Sequence, residues 1–280
     1  MKQLTADAIL HSVHGLPALP AVVLELIQSF GDSDVSAEQL AIKISHDQAI
    51  AAKTLRLANS SFYGLPRQVT SITEATAILG LRTLRGVATA AGLVSGFAKS
   101  RCQGFDFDAF WCHSIGTALT CRALAQRTRL DEDAAFTLGL LHDIGRLVLV
   151  SSYEEEYAQA IAYRTEHDCF MHVAEQHQFG VDHAEVGGLI AEHWHFAPEI
   201  VAAIACHHRP RSHAGKGLMD LVHVADNIAH GLDLSHQEDD MVPLLSLDAW
   251  GRLALGEKDY REVFDTVAEQ HDVVCHALLA

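Results

Sequence analysis

The sequence predicts an all-α protein, a multi-helix bundle of roughly a dozen or more helices of ordinary length. Apolar residues recur at helical spacing along nearly the whole chain, for example at Leu40, Ile44, Ala51 and Leu55. No segment alternates apolar and polar residues over five or more positions, so strands are not expected. With 280 residues, 49% of them hydrophobic and 20% charged, the chain is long and apolar enough to bury a core throughout.

Several helix starts are marked by residues that cap or preset the first turn. A capping box is predicted where a serine precedes Gln or Glu by three positions. We expect helix starts on this basis at Ser36 (with Gln39), Asp131, Ser151 (with Glu154) and Pro198. The helix capped by Asp131 is expected to end at His142, and the helix that begins at Pro198 leads to His207.

Breaks in the helical pattern divide the chain into three parts. Residues 1–100 are expected to form an N-terminal helical lobe, residues 105–235 a helical domain, and residues 236–280 a C-terminal helical tail. The segment 100–104 has the polar, glycine-containing composition of a connector, and the acidic segment 235–240 that of a loop.

The formal net charge of −16 bears on the kind of partner. An acidic surface argues against a role as a nucleic-acid scaffold, because phosphate backbones need a basic footprint. It does not exclude a phosphorylated small molecule in a pocket, since bound cations reverse the local sign of the charge.

The six cysteines form no CxxC pair and are expected to be buried thiols in a reducing compartment. No signal-like stretch follows Met1 and no apolar run is expected to reach membrane length, so we expect a cytoplasmic protein without membrane contact.

Seven residues stand out as candidate metal ligands because each offers an imidazole nitrogen or a carboxylate oxygen. They are His113, His142, Asp143, His183, His207, His208 and Asp226. If they converge, the protein holds one or two divalent ions within a helical frame. Imidazole with carboxylate ligation suits Fe, Mn, Zn, Ni or Mg, and the sequence does not choose among them.

The setting of each candidate carries more weight than the residue type. The His-Asp dipeptide occurs four times, but only His142-Asp143 directly follows a strongly apolar helix; the pairs at 46–47, 167–168 and 271–272 are expected at the surface. Asp226 also lies among apolar residues, and a buried carboxylate costs several kcal/mol unless it is paired or bound to a cation. A bound cation would compensate the charge of Asp226, and so would an ion pair with Arg146 or a histidine.

His183, His207 and His208 are candidates for a second ion. Adjacent histidines on a helix point about 100° apart, so both can bind only near a helix end or in a bridging arrangement. Arg209-Pro210 marks such an end here. The alternative is a histidine-rich polar face. Small residues occur one helical turn from four candidates and leave room for close helix packing: Gly116, Gly139, Gly187 and Ala229. Glu185 is a candidate to orient His183, or else a helix-face charge, while His172, His177, His193 and His195 are expected at the surface.

These motifs resemble known families. His113, His142-Asp143 and Asp226, in this order, resemble the HD superfamily of metal-dependent phosphohydrolases, and His183 with His207-His208 looks like the binuclear pattern of HD-GYP cyclic-dinucleotide phosphodiesterases. The N-terminal segments resemble the HDOD family of bacterial signalling and output proteins, and the likeness spans residues 15–232. Those segments are Leu16-Pro17-Ala18-Leu19-Pro20, Ile44-Ser45-His46-Asp47, Leu57-Ala58-Asn59-Ser60-Ser61-Phe62-Tyr63-Gly64 and Ala77-Ile78-Leu79-Gly80-Leu81.

The chain departs from these patterns in two places. Arg209-Pro210-Arg211 stands where HD-GYP proteins carry an acidic residue and then Gly-Tyr-Pro, so cyclic-dinucleotide specificity does not carry over. Arg146 replaces the lysine that usually follows the His-Asp-Ile-Gly run. Many HDOD members have lost the metal ligands and are thought to act as scaffolds, whereas this chain keeps the whole set.

The resemblance implies an HD-type helical bundle and a metal-dependent phosphohydrolase. His113, His142, Asp143 and Asp226 would hold one ion, and Asp143 would bridge to a second ion held by His183, His207 and His208. Such ions would activate water and offset charge on a phosphomonoester, phosphodiester or nucleotide. Arg146 would contact the substrate phosphate or, as we favour, pair with a buried acid.

Two other functions fit the same residues. The HD-like fold would serve as a non-catalytic signalling or scaffold module, with a structural metal site and an N-terminal lobe that presents a surface to a protein partner. A third interpretation is that the histidines sense pH.

Overall fold

Fifteen helices have defined bounds among the residues that the structure describes, and five of them lie before residue 100. The computed structural model describes residues 4–5, 8–9, 21–28, 36–65, 67–96, 102–211 and 217–279. No strand occurs among these residues, which confirms the predicted all-α class. The first five helices are α1 (Ala21–Gln28), α2 (Ala37–His46), α3 (Gln48–Ala58), α4 (Ile72–Leu79) and α5 (Leu81–Gly96).

The remaining helices run from the connector to the end of the described chain. They are α6 (Phe107–Thr128), α7 (Glu132–Leu141), α8 (Ile144–Ser152), α9 (Glu154–His167), α10 (Met171–Phe179), α11 (His183–His193), α12 (Pro198–Ala205), α13 (Leu218–Gly231), α14 (Leu247–Leu253) and α15 (Glu257–Leu279).

Helix α6 forms the centre of the bundle. It is 22 residues long and buried on nearly every side, as expected for a helix that packs against α7, α13 and α15. Gly139 of α7 lies directly against α6, because a Cβ atom built on it would sit 2.6 Å from the Cα of Ala118. This close approach brings the end of α7, and therefore His142, next to His113.

Two glycines bring α8 and α11 into contact. A Cβ atom on Gly145 would lie 2.0 Å from the carbonyl oxygen of His183, and one on Gly187 would lie 3.5 Å from the Gly145 backbone nitrogen and 2.9 Å from a methyl group of Ile204 on α12. Glycine is therefore required for this backbone spacing, which places Asp143 next to His183. Gly116 packs against the Leu234 side chain of the non-helical segment 232–246, so three of the small residues noted in the sequence lie at close contacts, two of them between helices.

Three of the four predicted helix starts are confirmed and one is wrong. The Ser36 hydroxyl accepts a hydrogen bond from the Gln39 N–H, Asp131 caps α7, and Pro198 occupies the first turn of α12. Ser151, by contrast, lies inside α8, whose buried run through Val150 keeps the helix intact until Tyr153. The next helix begins at Glu154 without a side-chain cap.

The predicted irregular segments are only partly covered by the described residues. Residues 102–106 are not helical, as expected of a connector, whereas Ser100 and Arg101 lie outside the described residues, as does the Leu16–Pro20 motif. The expected loop at 235–240 belongs to a longer non-helical segment, 232–246. The C-terminal tail consists of α14 and α15, and the predicted domain boundaries stay a prediction.

One stretch is long and apolar enough to meet the criteria for a membrane span, contrary to our expectation from the sequence. Among the described residues only Glu132–Ser152 does so, and 83% of its apolar window is buried inside the protein. A turn at His142-Asp143 divides it into α7 and α8. This stretch therefore forms part of the core of the bundle.

All six cysteines are free thiols. Cys112 and Cys169 are half-buried, and the other four are buried.

Candidate metal centre

All seven predicted ligands meet in one cluster between α6, α7, α11, α13 and the turn after α12. Six of them are buried: His113, His142, Asp143, His183, His207 and Asp226. His208 is half-buried and borders a cavity. The cluster has two ends, each organised around one carboxylate.

The first end, which we name the Asp143 corner, consists of Asp143, His183, His207 and His208. The Asp143 Oδ1 atom lies 3.2 Å from His183 Nε2 and 3.4 Å from His207 Nε2. His208 Nε2 lies 2.8 Å from His183 Nε2. Helix α12 ends at Ala205, and the turn that follows lets the adjacent histidines face the same site, as the sequence predicted.

The second end, the Asp226 corner, consists of Asp226, His113 and His230. Asp226 Oδ1 lies 3.1 Å from His113 Nε2 and 3.4 Å from His230 Nε2. We did not single out His230 from the sequence, although its position four residues after Asp226 on α13 places both on one helix face. Its other ring nitrogen, Nδ1, is 2.7 Å from Asp240.

His142 lies between the two corners. Its Nε2 atom is 3.6 Å from Asp143 Oδ1, 3.5 Å from Asp226 Oδ1 and 3.2 Å from His113 Nε2. Its Nδ1 atom is 2.7 Å from the Gly139 carbonyl. A carbonyl accepts only from an N–H, so the proton belongs on Nδ1 and the Nε2 lone pair faces the cluster. His207 has the same arrangement, with Nδ1 2.8 Å from the Ile204 carbonyl.

A buried carboxylate that the sequence did not reveal orients His183. Glu175 Oε2 lies 2.5 Å from His183 Nδ1 and accepts the His183 backbone N–H at 2.8 Å. Its other oxygen accepts a 2.8 Å hydrogen bond from the Tyr157 hydroxyl. Glu185 does not have the orienting role proposed for it; its side chain completes a capping box with Asp182 at the start of α11. Glu175 precedes His183 by eight residues on another helix, so no sequence periodicity links them.

Arg146 pairs with a buried acid, the alternative that we favoured. Its Nη1 donates to Asp143 Oδ2 at 3.3 Å, and its Nε donates to the Tyr157 hydroxyl at 3.3 Å. The guanidinium also lies 5.6 Å from the Phe105 ring centre and 5.8 Å from that of Phe110. Burial alone would lower the pKa of Arg146, but Tyr157 and Asp143 raise it. A catalytic role for Arg146 stays a prediction.

The electrostatics keep both carboxylates ionised. Burial alone would raise the pKa of Asp143, yet His142 and His183 hold it well below its usual value. The pKa of Asp226 is likewise well below its usual value, because His230 and His113 outweigh the effect of burial.

The histidines divide into two groups. Burial, assisted by His230, lowers the pKa of His113 to about 4, and burial with His207 lowers that of His208. Burial opposes a charge on His183 as well, but Glu175 and Asp143 raise its pKa well above the usual value. His113 and His208 are therefore in the neutral state that divalent ions bind. Despite burial, the pKa of His142 and of His230 is raised like that of His183, because nearby carboxylates stabilise the charged rings.

The donor set fits one or two divalent ions. Several buried atoms of the cluster have no hydrogen-bond partner in the described part of the chain: His113 Nδ1, Asp143 Oδ1, His207 Nε2, His208 Nδ1 and Asp226 Oδ2. Such atoms are costly to bury unless something compensates them. Atoms that share one ion at about 2.0–2.2 Å lie roughly 3–4 Å apart, which is the spacing observed here. The donors are nitrogen and oxygen, and burial raises the pKa of the nearby Cys121 thiol well above its usual value.

The cluster opens into a cavity of about 110 Å³. Asp143, Asp226, His183, His208 and His230 contribute to its floor. Its walls include the apolar side chains of Phe105, Phe110, Phe170 and Met171 beside polar residues such as Gln237. At the rim, Arg164 of α9 forms an ion pair with Asp239. His172, which we expected at the surface, lines this cavity with its ring centre 4.6 Å from that of His208.

Comparisons with known proteins identify the family of this chain and similar folds. Residues 16–210 match the HDOD domain family. The chain is 27% identical to an HDOD domain protein of unknown function from Geobacter sulfurreducens, whose crystal structure superimposes with a TM-score of 0.84 over 98% of this chain and 97% of that one. It is 29% identical to a protein from Shewanella amazonensis SB2B described as a candidate phosphohydrolase, with a TM-score of 0.76 over 97% and 98% of the two chains.

A longer relative comes from Treponema pallidum (strain Nichols). This uncharacterised protein is 25% identical over 267 residues, which are 92% of this chain and 46% of the relative. The chain therefore spans about half the length of that protein.

Proposed function

The chain belongs to the HDOD family, and we propose that it is a metal-dependent phosphohydrolase that acts on a phosphomonoester, phosphodiester or nucleotide in bacterial signalling. One observation carries the proposal. Two buried, ionised carboxylates face imidazole nitrogens that lack hydrogen-bond partners, and this cluster forms the floor of a cavity. The description of the Shewanella amazonensis protein supports the same class of reaction. We also expect the protein to work in the cytoplasm.

The residues of the two corners would bind ions at two neighbouring positions. Asp143 Oδ1 faces His142, His183 and His207, so Asp143 is the group that would contact both ion positions. Ions held there would supply Lewis acidity, both to activate water and to offset charge on the phosphoryl group. Glu175 fixes the ring of His183, and Arg146 fixes the Asp143 carboxylate from the opposite side.

The cavity limits how a substrate binds. Its space of about 110 Å³ suits a phosphoryl group, while the rest of the substrate would extend past the apolar side chains of Phe105, Phe170 and Met171. A substrate that displaces water from this cavity would strengthen the electrostatic interactions with its phosphoryl charge. This geometry accommodates several classes of leaving group.

The test combines metal analysis with a hydrolysis assay. Protein purified without chelators and without a metal-binding tag should contain a divalent ion, and Asp143→Asn should lose it. We expect the same variant to lose hydrolysis of p-nitrophenyl phosphate, bis(p-nitrophenyl) phosphate or nucleotides by at least about a hundredfold, the loss typical of removing one group that stabilises transition-state charge. Asp265→Asn, an exposed carboxylate on α15, is the control and should match the wild type.

A second candidate function is a non-catalytic signalling module. Apolar side chains are exposed along the segment 242–247, and Met241 and Pro243 of the same region line the cavity rim. Exposed apolar clusters of this kind often mark protein contacts. A protein that retains its metal but hydrolyses none of these substrates would favour this alternative over the enzyme.

A further inference from the structure

We propose a second metal site, separate from the centre described above, formed by His236, His271 and Asp272. The site would bind a divalent first-row metal ion such as Zn²⁺. The candidate ligand atoms, one from each residue, lie within 4.8 Å of one another. The site joins α15 to the non-helical segment 232–246 and shares no residue with either corner of the main centre.

His271 has an unusual environment for a buried histidine. We expected the pair His271-Asp272 at the surface, but the His271 side chain is buried while Asp272 is exposed. The His271 Nε2 atom lies 2.9 Å from the Cys112 carbonyl oxygen, and its Nδ1 lies 3.5 Å from Asp272 Oδ1. Both ring nitrogens therefore face oxygen acceptors.

A neutral imidazole has only one N–H and cannot donate to both oxygens. If Nε2 donates to the Cys112 carbonyl, the lone pair of Nδ1 faces the carboxylate of Asp272. A cation bound between them removes this repulsion. Metal-bound histidines commonly donate their other N–H to a backbone carbonyl, and His142 and His207 have this arrangement in the main centre.

Another hydrogen-bonding pattern competes with this one. The Cys275 sulfur, one turn along α15, lies 3.3 Å from His271 Nε2. A protonated His271 paired with Asp272 would also satisfy both oxygens, without any metal. The two arrangements differ in whether His236 and Asp272 contribute to metal affinity.

The third ligand is well placed to complete the site. The ring centres of His236 and His271 are 6.2 Å apart, and His236 has a positive φ of 56° at the end of a turn. His236 is exposed, so its ring can rotate to the roughly 2.0–2.1 Å bond length that Zn²⁺ requires. Two imidazoles and a carboxylate suit Zn²⁺ with a water as the fourth ligand.

The location implies a structural role for such an ion. Ser235 and Gln237 flank His236 and both line the cavity of the main centre. An ion that joins His236 to α15 would hold this part of the cavity rim against the bundle.

The experiment compares Zn²⁺ binding by four variants of the full chain. Chelator-stripped protein is titrated with Zn²⁺ by calorimetry, and its zinc content is measured after dialysis. His236→Gln and Asp272→Asn remove exposed side chains, and Asp272 is 89% exposed, so neither change should unfold the protein. His276→Gln and Asp265→Asn alter exposed residues of α15 outside the cluster and are the matched controls.

We expect both test variants to lose one zinc equivalent, or to bind it at least about tenfold more weakly, because loss of even an outer partner costs 10–100-fold. Both controls should bind as the wild type does. Zinc binding unchanged in His236→Gln and Asp272→Asn would overturn the proposal and leave His271 as a simple ion-pair partner of Asp272. An equal loss in His276→Gln would also overturn it, since the lost ion would then belong to scattered surface histidines. All four proteins keep the main centre intact, so this result is independent of the proposed hydrolysis.

Discussion

The two corners of the main centre are built on the same plan but in different surroundings. In each, a carboxylate faces imidazoles, and one of these imidazoles binds a second carboxylate through its far nitrogen: His183 binds Glu175 at 2.5 Å and His230 binds Asp240 at 2.7 Å. The Glu175 side chain is 0% exposed and lies on a helix, whereas that of Asp240 is 14% exposed and lies in the segment 232–246. The histidine of the Asp143 corner is thus oriented by a carboxylate on a packed helix, and that of the Asp226 corner by a carboxylate in a loop.

The difference suggests that the Asp143 corner is the stiffer one. Glu175 also accepts hydrogen bonds from Tyr157 and from the His183 backbone, so its position is determined from three sides. Asp240 also has three partners, but besides His230 these are the Ser235 hydroxyl and the Met241 N–H of its own loop. Metal affinity depends on how firmly such outer partners orient the ligands.

The first prediction compares these two outer carboxylates directly. Glu175→Gln should lower metal affinity by about 10–100-fold, because the amide disturbs the orientation and charge of the His183 ring in a site that water cannot reach. Asp240→Asn should lower it by less than about tenfold, because solvent can replace part of the lost interaction. Competition titrations against a fluorescent chelator measure both affinities.

The control for this comparison is Glu185→Gln. Glu185 lies on the same helix as His183 but serves only the cap of α11, so metal affinity should not change. A loss for Asp240→Asn as large as that for Glu175→Gln would show that the loop holds the centre as firmly as the helices do.

The second prediction tests the backbone on which each corner rests. Gly145→Ala should destabilise the protein by about 1–3 kcal/mol or more, because the new methyl group meets the His183 carbonyl at 2.0 Å and α8 must move away from α11. Gly231→Ala, next to His230, meets no atom within 4 Å and should be neutral or stabilising by up to about 1 kcal/mol.

Urea denaturation measures the free energy of unfolding for both variants, and metal content is followed in parallel. We expect Gly145→Ala also to bind metal more weakly, since Asp143 and His183 separate when the helices do. A Gly145→Ala variant as stable as the wild type would mean that α8 and α11 slide past each other at little cost, and that the Asp143 corner is not rigid.

The same contrast explains how much of the molecule was predictable from the sequence. Helix class, most caps and the position of His142-Asp143 at a helix end followed from local patterns, namely apolar spacing and the residues that precede it. Ser151 was misjudged because its local serine–glutamate spacing is overridden by the buried run of α8. Local rules fail where tertiary packing decides the end of a helix.

The site was predictable only where the sequence marks burial. Asp143 and Asp226 stand out as acids among apolar residues, and the structure brings them within 3.5–3.6 Å of the same His142 nitrogen. Glu175 lies on a helix with many polar residues, and its burial comes from contacts between distant segments, so it can be found only once the helices are assembled. His230 follows Asp226 by four residues on α13, and that spacing is the sequence signal that could have indicated it.

The third prediction concerns His223, which packs behind the Asp143 corner and has the smallest expected effect. Its Nδ1–H donates to the His207 carbonyl at 2.6 Å, and its Nε2 accepts the Ser246 N–H at 2.8 Å, so the neutral ring satisfies both partners. Burial lowers its pKa below the usual value near 6.5. The unfolded chain therefore binds a proton that the folded protein does not. The contribution of His223 to stability is complete above about pH 6.5 and falls as the pH decreases below that value.

We expect His223→Gln, which can form both hydrogen bonds without titrating, to reduce the pH dependence of stability between pH 7.5 and 5.5. The reduction for one proton is at most about 1.4 kcal/mol per pH unit. Urea denaturation of metal-free protein at several pH values measures it, with the exposed His276→Gln as the control that keeps the wild-type slope. An unchanged slope in His223→Gln would mean that His223 takes up a proton in the folded state. The hydrogen bond that it donates to His207 would then hold that ligand equally well in acid, and the Asp143 corner would be less sensitive to pH than its buried position implies.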